Sequence, residues 1–426
     1  MTEENGQQTP VPPAGQAPED KDKKSRSSFL TGLATGLAVA TVLCIAVFLA
    51  WFRMTSAGAG SGTSAGGEDI LNRETLQKIR EINETIDTYY YKDDEVSLEA
   101  RRDGLYEGLV ASLGDPYADY YTVEDREAQR EQMTGIYYGI GAYVTMHQEL
   151  QRVYITGVIP NSPAEAAGLK GEDVIWAVDG TSTEGMVTED VVALIRGPEG
   201  TQVELTLLRN GDEEIEVAVT RAQVESQTVA HEMLDNSIGY LQITAFEEAT
   251  IGQFADAMEE LYAEGMQGLI LDLRYNLGGS LRAVVEIGNL LLPKGEIVYT
   301  LDKHGKRESY VSDGKHEIQI PLVVLVNDSS ASASEILAGA IKDYEKGTLV
   351  GTTTYGKGIV QSIIDFDDGT GIKLTVSDYY TPKGNNIHEV GIEPDILLEF
   401  DWEVFDEDGT DNQLEEAKTL VLDMMK

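Results

Sequence analysis

A stretch without a single charged side chain, residues 29–52, constrains this chain more than any other feature. As a helix its 24 residues would rise about 36 Å, more than the roughly 30 Å of hydrocarbon in a bilayer. Basic residues cluster just before it, at 21–26, so the pattern predicts a transmembrane helix with a cytoplasmic N-terminus and an extracytoplasmic remainder. The alternative is a signal peptide cleaved near "AGA" at 57–59, although the apolar run exceeds the roughly 7–15 residues typical of such peptides.

The charge balance argues against one class of partner. The chain has 426 residues, with 32 Lys and Arg against 74 Asp and Glu, and the resulting net charge of −42 would repel the phosphates of nucleic acids. Such a surface suits a soluble domain kept apart by self-repulsion. The single cysteine, Cys44, excludes internal disulfides and cysteine-based metal sites. The sequence implies no metal and no organic cofactor, and leaves open whether the chain forms a homo-oligomer.

Composition and hydrophobic period divide the chain into seven segments. The predicted segments are a disordered cytoplasmic tail (1–28), a transmembrane helix (29–52), a flexible linker (53–68), a helical region (69–134), a β-rich module (135–222), a domain of alternating strands and helices (223–400) and a C-terminal helical tail (401–426). Runs such as "PLVVLVN" are apolar throughout, as in central strands covered on both faces. The pattern predicts an α/β or α+β domain with helices packed on a sheet.

The β-rich module opens with the ingredients of a carboxylate-binding loop. In "YYGIGAYV", the glycines around Ile140, Gly139 and Gly141, let backbone N–H groups converge just before a strand, and such a nest can hold the end of a peptide that adds as a strand. A simple glycine turn is the alternative. The following "SPAEAAGLKGEDVIWAVDG" closely resembles a PDZ domain. That resemblance implies a peptide groove beside the helix at 188–195, with Val191 and either Leu194 or Ile195 lining an apolar pocket.

Four serines crowd the start of a predicted helix in "NDSSASASEILAGAIKD" at 327–343. Ser332 and Glu335 have the spacing of a capping box, so the structural interpretation is a helix cap. A nucleophile would need a base, and the five histidines lie in no triad-like context. Lys357, isolated in "YGKGIV", could serve if burial lowers its pKa, and Gln361 could hold its amine; a loop lysine in a glycine turn is the alternative.

A third motif, "LILDLRYNLGG", ends a buried strand in two glycines. Gly278 and Gly279 free the backbone to bring an N–H group close to a reacting carbonyl oxygen. The residue after the candidate nucleophile, Ala333, would supply a second donor.

The motifs "LDLRYNLGG", "VNDSSASASEI", "TYGKGIVQ" and "YYTPKGNNIHEVGIEPD", in this order, resemble those of the C-terminal processing peptidases, over about residues 75–400. The resemblance implies Ser332 as nucleophile, Lys357 as base 25 positions later and Gln361 as the orienting third member. It also implies that the PDZ module regulates access, which makes Arg196 in "IRGPEG" a candidate gating contact, with a solvated loop arginine as the alternative. The chain departs from the family at Tyr275, where asparagine is common, and at Leu277, where proline is usual.

The sequence thus predicts a membrane-anchored extracytoplasmic serine endopeptidase with a Ser–Lys dyad. Its partner would be a protein substrate, read by its C-terminal segment and cleaved near its C-terminus. The expected fold is an α/β (α+β) protease domain with a PDZ domain, an N-terminal helical segment and one transmembrane helix. A catalytically silent PDZ scaffold at the cell envelope is the alternative function.

Overall fold

The computed structural model describes residues 69–92 and 95–426. They divide into two compact units between Val96 and Ser97. The described part of the first unit holds helix α1 (Arg73–Tyr89), which begins where the Asn72 side chain accepts the N–H of Thr75. The predicted transmembrane stretch, 29–52, lies outside the described residues. Within the described ranges, no helix is long and apolar enough to cross a membrane.

The second unit begins with two helices, α2 (Leu98–Ala111) and α3 (Val123–Thr134), and a short strand between them, β1 (Asp119–Tyr121). Thr122 and Asp125 cap α3 reciprocally, and Gly135 ends it in the left-handed conformation. The region predicted as helical therefore also contributes one strand to a sheet, because the chain is broken at "GDPY" and then pairs with a distant segment.

A β-rich module follows, and a two-stranded antiparallel ribbon, β2 (Ile136–Gly139) with β9 (Ala222–Glu225), ties its two ends together. Its main sheet has the order β3-β4-β5-β7-β8, with β6 paired to β5, so β3 is an edge strand. The elements of the module are β3 (Ala142–His147), β4 (Arg152–Val158), α4 (Pro163–Ala166), β5 (Val174–Val178), β6 (Thr181–Ser182), α5 (Thr188–Ile195), β7 (Gln202–Arg209) and β8 (Glu213–Thr220).

The remaining chain is built on a six-stranded sheet of order β10-β11-β12-β15-β16-β19, in which only the β10–β11 pair is antiparallel. Every residue of the two central strands β12 and β15 is buried, as their unbroken apolar runs predict. The strands of this sheet are β10 (Val229–Leu234), β11 (Ile238–Ile243), β12 (Gly268–Asp272), β15 (Leu322–Val326), β16 (Thr348–Gly351) and β19 (Ile396–Leu397).

Helices cover both faces of this sheet, which confirms the expected mixed α/β architecture. Leu269 and Leu271 of β12 join the core under α6 (Glu248–Ala263), α7 (Leu281–Asn289) and α8 (Ala333–Asp343). Ile270, which points to the other face, packs in a cluster with residues of the last helix, α10 (Asn412–Met424). The C-terminal tail, which also contains α9 (Trp402–Asp408), is therefore part of the core of this domain.

A second, antiparallel sheet stands beside the first. Its longest strand, β18 (Gly371–Tyr380), pairs with β1 and with β13 (Gly295–Asp302) along one side and with β17 (Ile359–Asp365) along the other. The strand β14 (Arg307–Ser312) completes it at the edge beyond β13. Its strand β17 carries Gln361, one of the candidate site residues of the sequence.

A buried ionic cluster fixes the tail against the end of β12. Arg274 donates to Asp272, to Asp411 and to the amide oxygen of Gln413, and Tyr240 donates to Asp272 at 2.8 Å. Buried charges are tolerated only when they are paired and hydrogen-bonded in this way. The cluster therefore holds the chain in place immediately before the loop that begins at Tyr275.

The close approach of β15 and β16 generates a prediction about stability. Gly351 ends β16 with φ of 132°, and a Cβ there would lie 1.9 Å from the carbonyl oxygen of Val326. Gly351→Ala should lower the free energy of unfolding by about 2 kcal/mol or more, since both the backbone conformation and the neighbouring strand oppose a side chain. Chemical denaturation of the full chain measures the change.

The matched control for this measurement is Gly252→Ala. Gly252 lies within α6, and a Cβ there meets open space, so alanine should stabilise the helix by up to about 1 kcal/mol. Effects of the same sign for the two variants would contradict the packing described between β15 and β16.

Candidate active site

Three loops converge where parallel strands of the six-stranded sheet end. They follow β12, β15 and β16, and they carry the sequences 273–280, 327–332 and 352–358. Because the carboxyl ends of parallel strands meet at one edge of a sheet, the three motifs identified in the sequence come together there.

Ser332 occupies a strained turn between β15 and α8. Its φ of 54° and ψ of −110° are unfavourable for a residue with a side chain, so surrounding contacts must hold it. Its N–H donates to Glu335 at 2.9 Å, and its carbonyl oxygen accepts from the Tyr379 hydroxyl at 3.2 Å. The side chain remains partly exposed and lines a cavity, so Ser332 is both the helix cap and an accessible hydroxyl.

The neighbouring serines have structural roles. Ser330 is buried and donates to the carbonyl oxygen of Leu273 at 2.8 Å, and Ser334 is buried and donates to that of Asn276 at 2.8 Å. Both hydroxyls therefore fasten the Ser332 turn to the loop after β12. Ser329 is partly exposed and donates to the Asp328 side chain.

Glu335 connects the serine turn to the lysine loop. Its carboxylate is fully buried and accepts four hydrogen bonds, from the N–H groups of Ser332, Gly356 and Lys357 and from the Thr354 hydroxyl, at 2.6–2.9 Å. A buried carboxylate needs such donors to offset its lost hydration. The capping-box spacing pointed to the first of these bonds, whereas the three bonds to the lysine loop could not be read from the sequence.

Lys357 is partly desolvated, and its backbone lies close in space to that of Ser332. The N–H groups of the two residues donate to the same carboxylate oxygen of Glu335. Burial, aided by the positive charge of Lys373, lowers the pKa of Lys357 below its ordinary value, although Asp115 and Glu335 oppose the shift. The lysine is thus easier to deprotonate than a fully solvated one.

The Lys357 amine points away from the serine in this conformation. Its Nζ lies over the ring of Tyr117, 4.7 Å from the centroid, and among the described residues no hydrogen bond joins it to the Ser332 hydroxyl. The amide nitrogen of Gln361 is buried, and it too finds no partner in the described part of the chain. The structure therefore places the three predicted residues in one region without hydrogen bonds between their side chains.

The two glycines after β12 approach this region closely. A Cβ on Gly278 would lie 2.9 Å from the N of Ala333, and one on Gly279 would lie 2.1 Å from the carbonyl oxygen of Phe246. The N–H of Gly278 donates to Asn276 at 2.8 Å, whereas among described hydrogen bonds none uses the N–H of Gly279 or Ala333 as donor. These two N–H groups are the ones free to bind an oxyanion.

Asn276 was not singled out from the sequence, yet it shapes this loop. Its amide donates to the carbonyl oxygen of Ile243 while its oxygen accepts from Gly278. Tyr275, with φ of 62°, and Leu277 are exposed, and the N–H of Tyr275 donates to the Asn327 side chain. The two departures from the family pattern therefore lie on the solvent side of the loop.

A cavity of about 430 Å³ opens in front of Ser332. Gly279, Ala333 and Gln361 line it together with the serine, so the candidate nucleophile, the free backbone donors and the third predicted residue share one space. The apolar side chains that line it are those of Met133, Leu281, Tyr310, Ile336, Ile359, Val360, Ile363 and Tyr379. Such a surface accepts a stretch of polypeptide with apolar side chains.

The β-rich module presents a second candidate site. Gly139 pairs with Ala222 in the β2–β9 ribbon, and Ile140 and Gly141 form the loop that enters edge strand β3. No described hydrogen bond uses the N–H of Ile140 or Gly141, so both can receive a carboxylate. Val191 of α5 is fully buried in the core of the module, whereas Leu194 of the same helix is exposed at its surface.

Arg196, the last of the predicted site residues, bridges the module and α3. Its guanidinium pairs with Glu131 of α3 at 2.5 Å and lies 5.2 Å from the ring centroid of Tyr137. Neither Glu131 nor Tyr137 belongs to the six-stranded sheet whose loops form the candidate site. The side chains of the described residues offer no cluster of acidic, histidine or cysteine ligands that could hold a metal ion.

Two family profiles match the chain. That of Peptidase family S41 matches residues 237–398, which include all three loops of the candidate site. That of the PDZ domain matches residues 154–209, within the β-rich module.

Two curated relatives and one solved structure match most of the chain. The carboxy-terminal processing protease CtpA of Bacillus subtilis is 39% identical over 343 residues, which are 78% of this chain and 72% of that protein. The carboxyl-terminal-processing protease of Synechocystis is 39% identical, over 69% of this chain and 70% of its own. A solved structure of the photosystem II D1 C-terminal processing protease covers 76% of this chain at 32% identity, with a TM-score of 0.44. The chain therefore belongs to peptidase family S41 and is a serine protease of the carboxy-terminal processing type, with a PDZ domain.

Proposed function

We propose that the chain is a membrane-anchored, extracytoplasmic endopeptidase that cleaves protein substrates near their C-termini with a dyad of Ser332 and Lys357. The observation that carries the dyad is the Glu335 carboxylate, which binds the backbone of both residues and brings a partly exposed serine beside a half-buried lysine. The anchor and the location rest on the uncharged stretch 29–52 and the basic residues before it.

The chemistry begins with a rotation of the Lys357 side chain from the ring of Tyr117 toward Ser332. The neutral amine takes the Ser332 proton, and the serine oxygen attacks the substrate carbonyl carbon. Proton return from the ammonium to the leaving nitrogen breaks the peptide bond and leaves an acyl-enzyme, which water hydrolyses. The position of Gln361 in the cavity of Ser332 supports the role of an orienting group, because its amide oxygen could accept a hydrogen bond from the lysine amine after this rotation.

The oxyanion would be bound by the N–H groups of Ala333 and Gly279. The sequence left Gly278 and Gly279 as equal candidates, but the N–H of Gly278 already donates to Asn276. Gly278 instead supplies the close approach to α8 that a side chain would prevent. Fixed donors of this kind stabilise charge that develops in the transition state at no reorganisation cost.

The PDZ domain would read the C-terminal segment of the substrate. The free N–H groups of Ile140 and Gly141 suit a terminal carboxylate, and edge strand β3 can pair with an added peptide strand. The exposed side chain of Leu194 supports an apolar preference at the last residue.

The same domain would also control access to the active site, through α3. Glu131 of this helix binds Arg196 of the PDZ domain, while Gln129 and Met133 of the same helix line the catalytic cavity. Arg126 of α3 further pairs with Asp365 at the end of β17. Peptide binding would shift the population toward the active arrangement only if it favours that arrangement by differential affinity.

The dyad and the topology can be tested in one experiment. Cells expressing the full chain should cleave casein added from outside, and Ser332→Ala should reduce this cleavage by roughly a thousandfold or more, because the nucleophile is lost. Ser329→Ala is the control, since Ser329 is the other partly exposed serine of the segment. Cleavage that appears only after detergent treatment would contradict the topology, and equal activity of both variants would contradict the nucleophile.

The depressed pKa of Lys357 predicts the dependence of activity on pH. A base works in its neutral form, so kcat/KM should rise with pH through the pKa of Lys357, which lies below the ordinary 10.5. Lys357→Arg should be inactive across the range, because a guanidinium stays protonated. A rate profile that falls above neutrality, with an acid optimum, would be inconsistent with a lysine base.

Substrate selection by the PDZ domain can be tested by a pair of glycine substitutions. A Cβ on Gly141, where φ is 81°, would lie 2.4 Å from the Cβ of Ser162, so Gly141→Ala should displace the carboxylate loop. With two substrates that differ only in an apolar or charged last residue, the intact enzyme should prefer the apolar one and the variant should show a ratio of about one.

Gly185→Ala provides the control for that test. Gly185 has a similar φ of 76°, in the same domain, but a Cβ there meets open space. This variant should keep the preference of the intact enzyme. If the intact enzyme itself treats both substrates alike, the PDZ domain does not read C-termini.

A further inference from the structure

The catalytic cavity carries a charge opposite to that of the chain. The net charge is −42, yet of the described residues that line the cavity, the charged ones are two cations, Arg282 and Lys373. The nearest buried carboxylate, that of Glu335, is already occupied by four donors. The cavity is therefore locally positive, whereas the chain as a whole repels anions.

The two cations differ in how far they are neutralised. Arg282 is exposed and forms a close ion pair with Glu248. Lys373 is half-buried, and its carboxylate neighbour, Asp119, lies 3.9 Å away with its own side chain more than half exposed. Its other contact is the ring of Tyr121, 5.3 Å from Nζ to the centroid. Lys373 is thus the cation with unused binding capacity.

Strand pairing places Lys373 beside the predicted catalytic residues. In the β17–β18 pair, Lys373 stands opposite Ile363 and Thr375 stands opposite Gln361. Residues two apart on a strand share a face, so Lys373 and Gln361 lie on the same face of this sheet, toward the cavity. Its charge also reaches the base, since it contributes to the lowered pKa of Lys357.

We propose that Lys373 binds a carboxylate group of the substrate inside the catalytic cavity, and so determines a preference for substrates that carry a negative charge next to the scissile bond. This inference rests on the proposed function. The carboxylate comes either from an Asp or Glu side chain or from the free end of a short C-terminal tail, since both present the same group to an ammonium.

Binding of that carboxylate also assists the reaction. In the free enzyme the charge of Lys373 opposes protonation of Lys357 and so contributes to its lowered pKa. A substrate carboxylate on Lys373 cancels this repulsion at the moment when Lys357 takes the proton from the Ser332 oxygen. Lys373 thus eases deprotonation of the base in the free enzyme, and its neutralisation by the substrate stabilises the ammonium once that forms.

The test is a cycle of enzyme variants and matched peptides. One peptide series has an amidated C-terminus and Glu or Gln scanned through three residues on either side of the scissile bond. A second series has short tails ending in a free acid or an amide. Each is cleaved by the full-chain enzyme, Lys373→Met and Lys373→Arg, at a pH above the rise in activity. Since the PDZ domain is the same in all three enzymes, its effect cancels from the ratios.

For at least one position or tail length, kcat/KM of Lys373→Met should fall roughly tenfold more for the carboxylate peptide than for its amide partner. Lys373→Arg should retain the preference. Lys303→Met, which removes an exposed lysine that does not line the cavity, controls for the change in net charge. The rise in activity with pH should also move to higher pH in Lys373→Met, because a like charge near Lys357 is gone.

Equal losses for carboxylate and amide peptides in both series would overturn the proposal. If Lys373→Met is inactive on every peptide, the test is the preference of the intact enzyme. An intact enzyme that prefers no carboxylate, at any position or tail length, also overturns the proposal. Failure of the proposed function looks different, because then Ser332→Ala cleaves like the intact enzyme. A preference in the amidated series indicates a side-chain carboxylate, and a preference in the series of short tails indicates a terminal one.

Discussion

The buried carboxylate of Glu335 is the interaction on which the active-site geometry depends. It lies at the start of α8 and collects hydrogen bonds from two separate loops, one after β15 and one after β16. Removing it would leave buried N–H and O–H donors without an acceptor, and each such group costs about 1–3 kcal/mol. The strained φ of Ser332 is sustained by the same contact, because its N–H is one of those donors. The strained backbone of the proposed nucleophile and the placement of the proposed base therefore share one cause.

Two glycines let the surrounding backbone pack closely against the Ser332 turn, and any side chain at either position would force neighbouring atoms to move. Gly278 approaches the first N–H of α8, and Gly279 approaches the chain at Phe246, so the donor loop is sandwiched between a helix start and a neighbouring strand end. Ser330, Ser334 and Asn276 fasten the loop from behind. The loop with the candidate oxyanion donors is therefore held by several contacts, whereas the Lys357 side chain lies over the ring of Tyr117.

Sequence patterns predicted the parts of this site that follow from local chemistry. The capping spacing of Ser332 and Glu335, the glycine pair and the isolated lysine were all visible, because each is a property of a short segment. The bonds from Glu335 to residues about twenty positions away depend on tertiary contacts and left no local signal. The bond from the Gly278 N–H to Asn276 is local, since an asparagine side chain often accepts from the N–H two residues on, so the sequence did contain a signal for it. Leu105 and Leu109 of α2 show a related limit: their four-residue spacing is that of one helix face, but both are exposed in the structure, because spacing alone does not show what the face packs against.

Two sets of interactions act in opposite directions on the protonation of Lys357, and their balance affects whether this lysine can act as a base. Burial and the charge of Lys373 favour the neutral amine, whereas the ring of Tyr117 and the carboxylates of Asp115 and Glu335 favour the ammonium. A lysine over the ring is held as a cation away from its target, and a lysine at Ser332 must be neutral to act. Any signal that reaches the cavity through α3, or any anion that neutralises Lys373, changes this balance without altering the serine itself. With Lys357 as the proposed base, the enzyme can therefore be regulated at this side chain while Ser332 and the proposed oxyanion donors stay fixed.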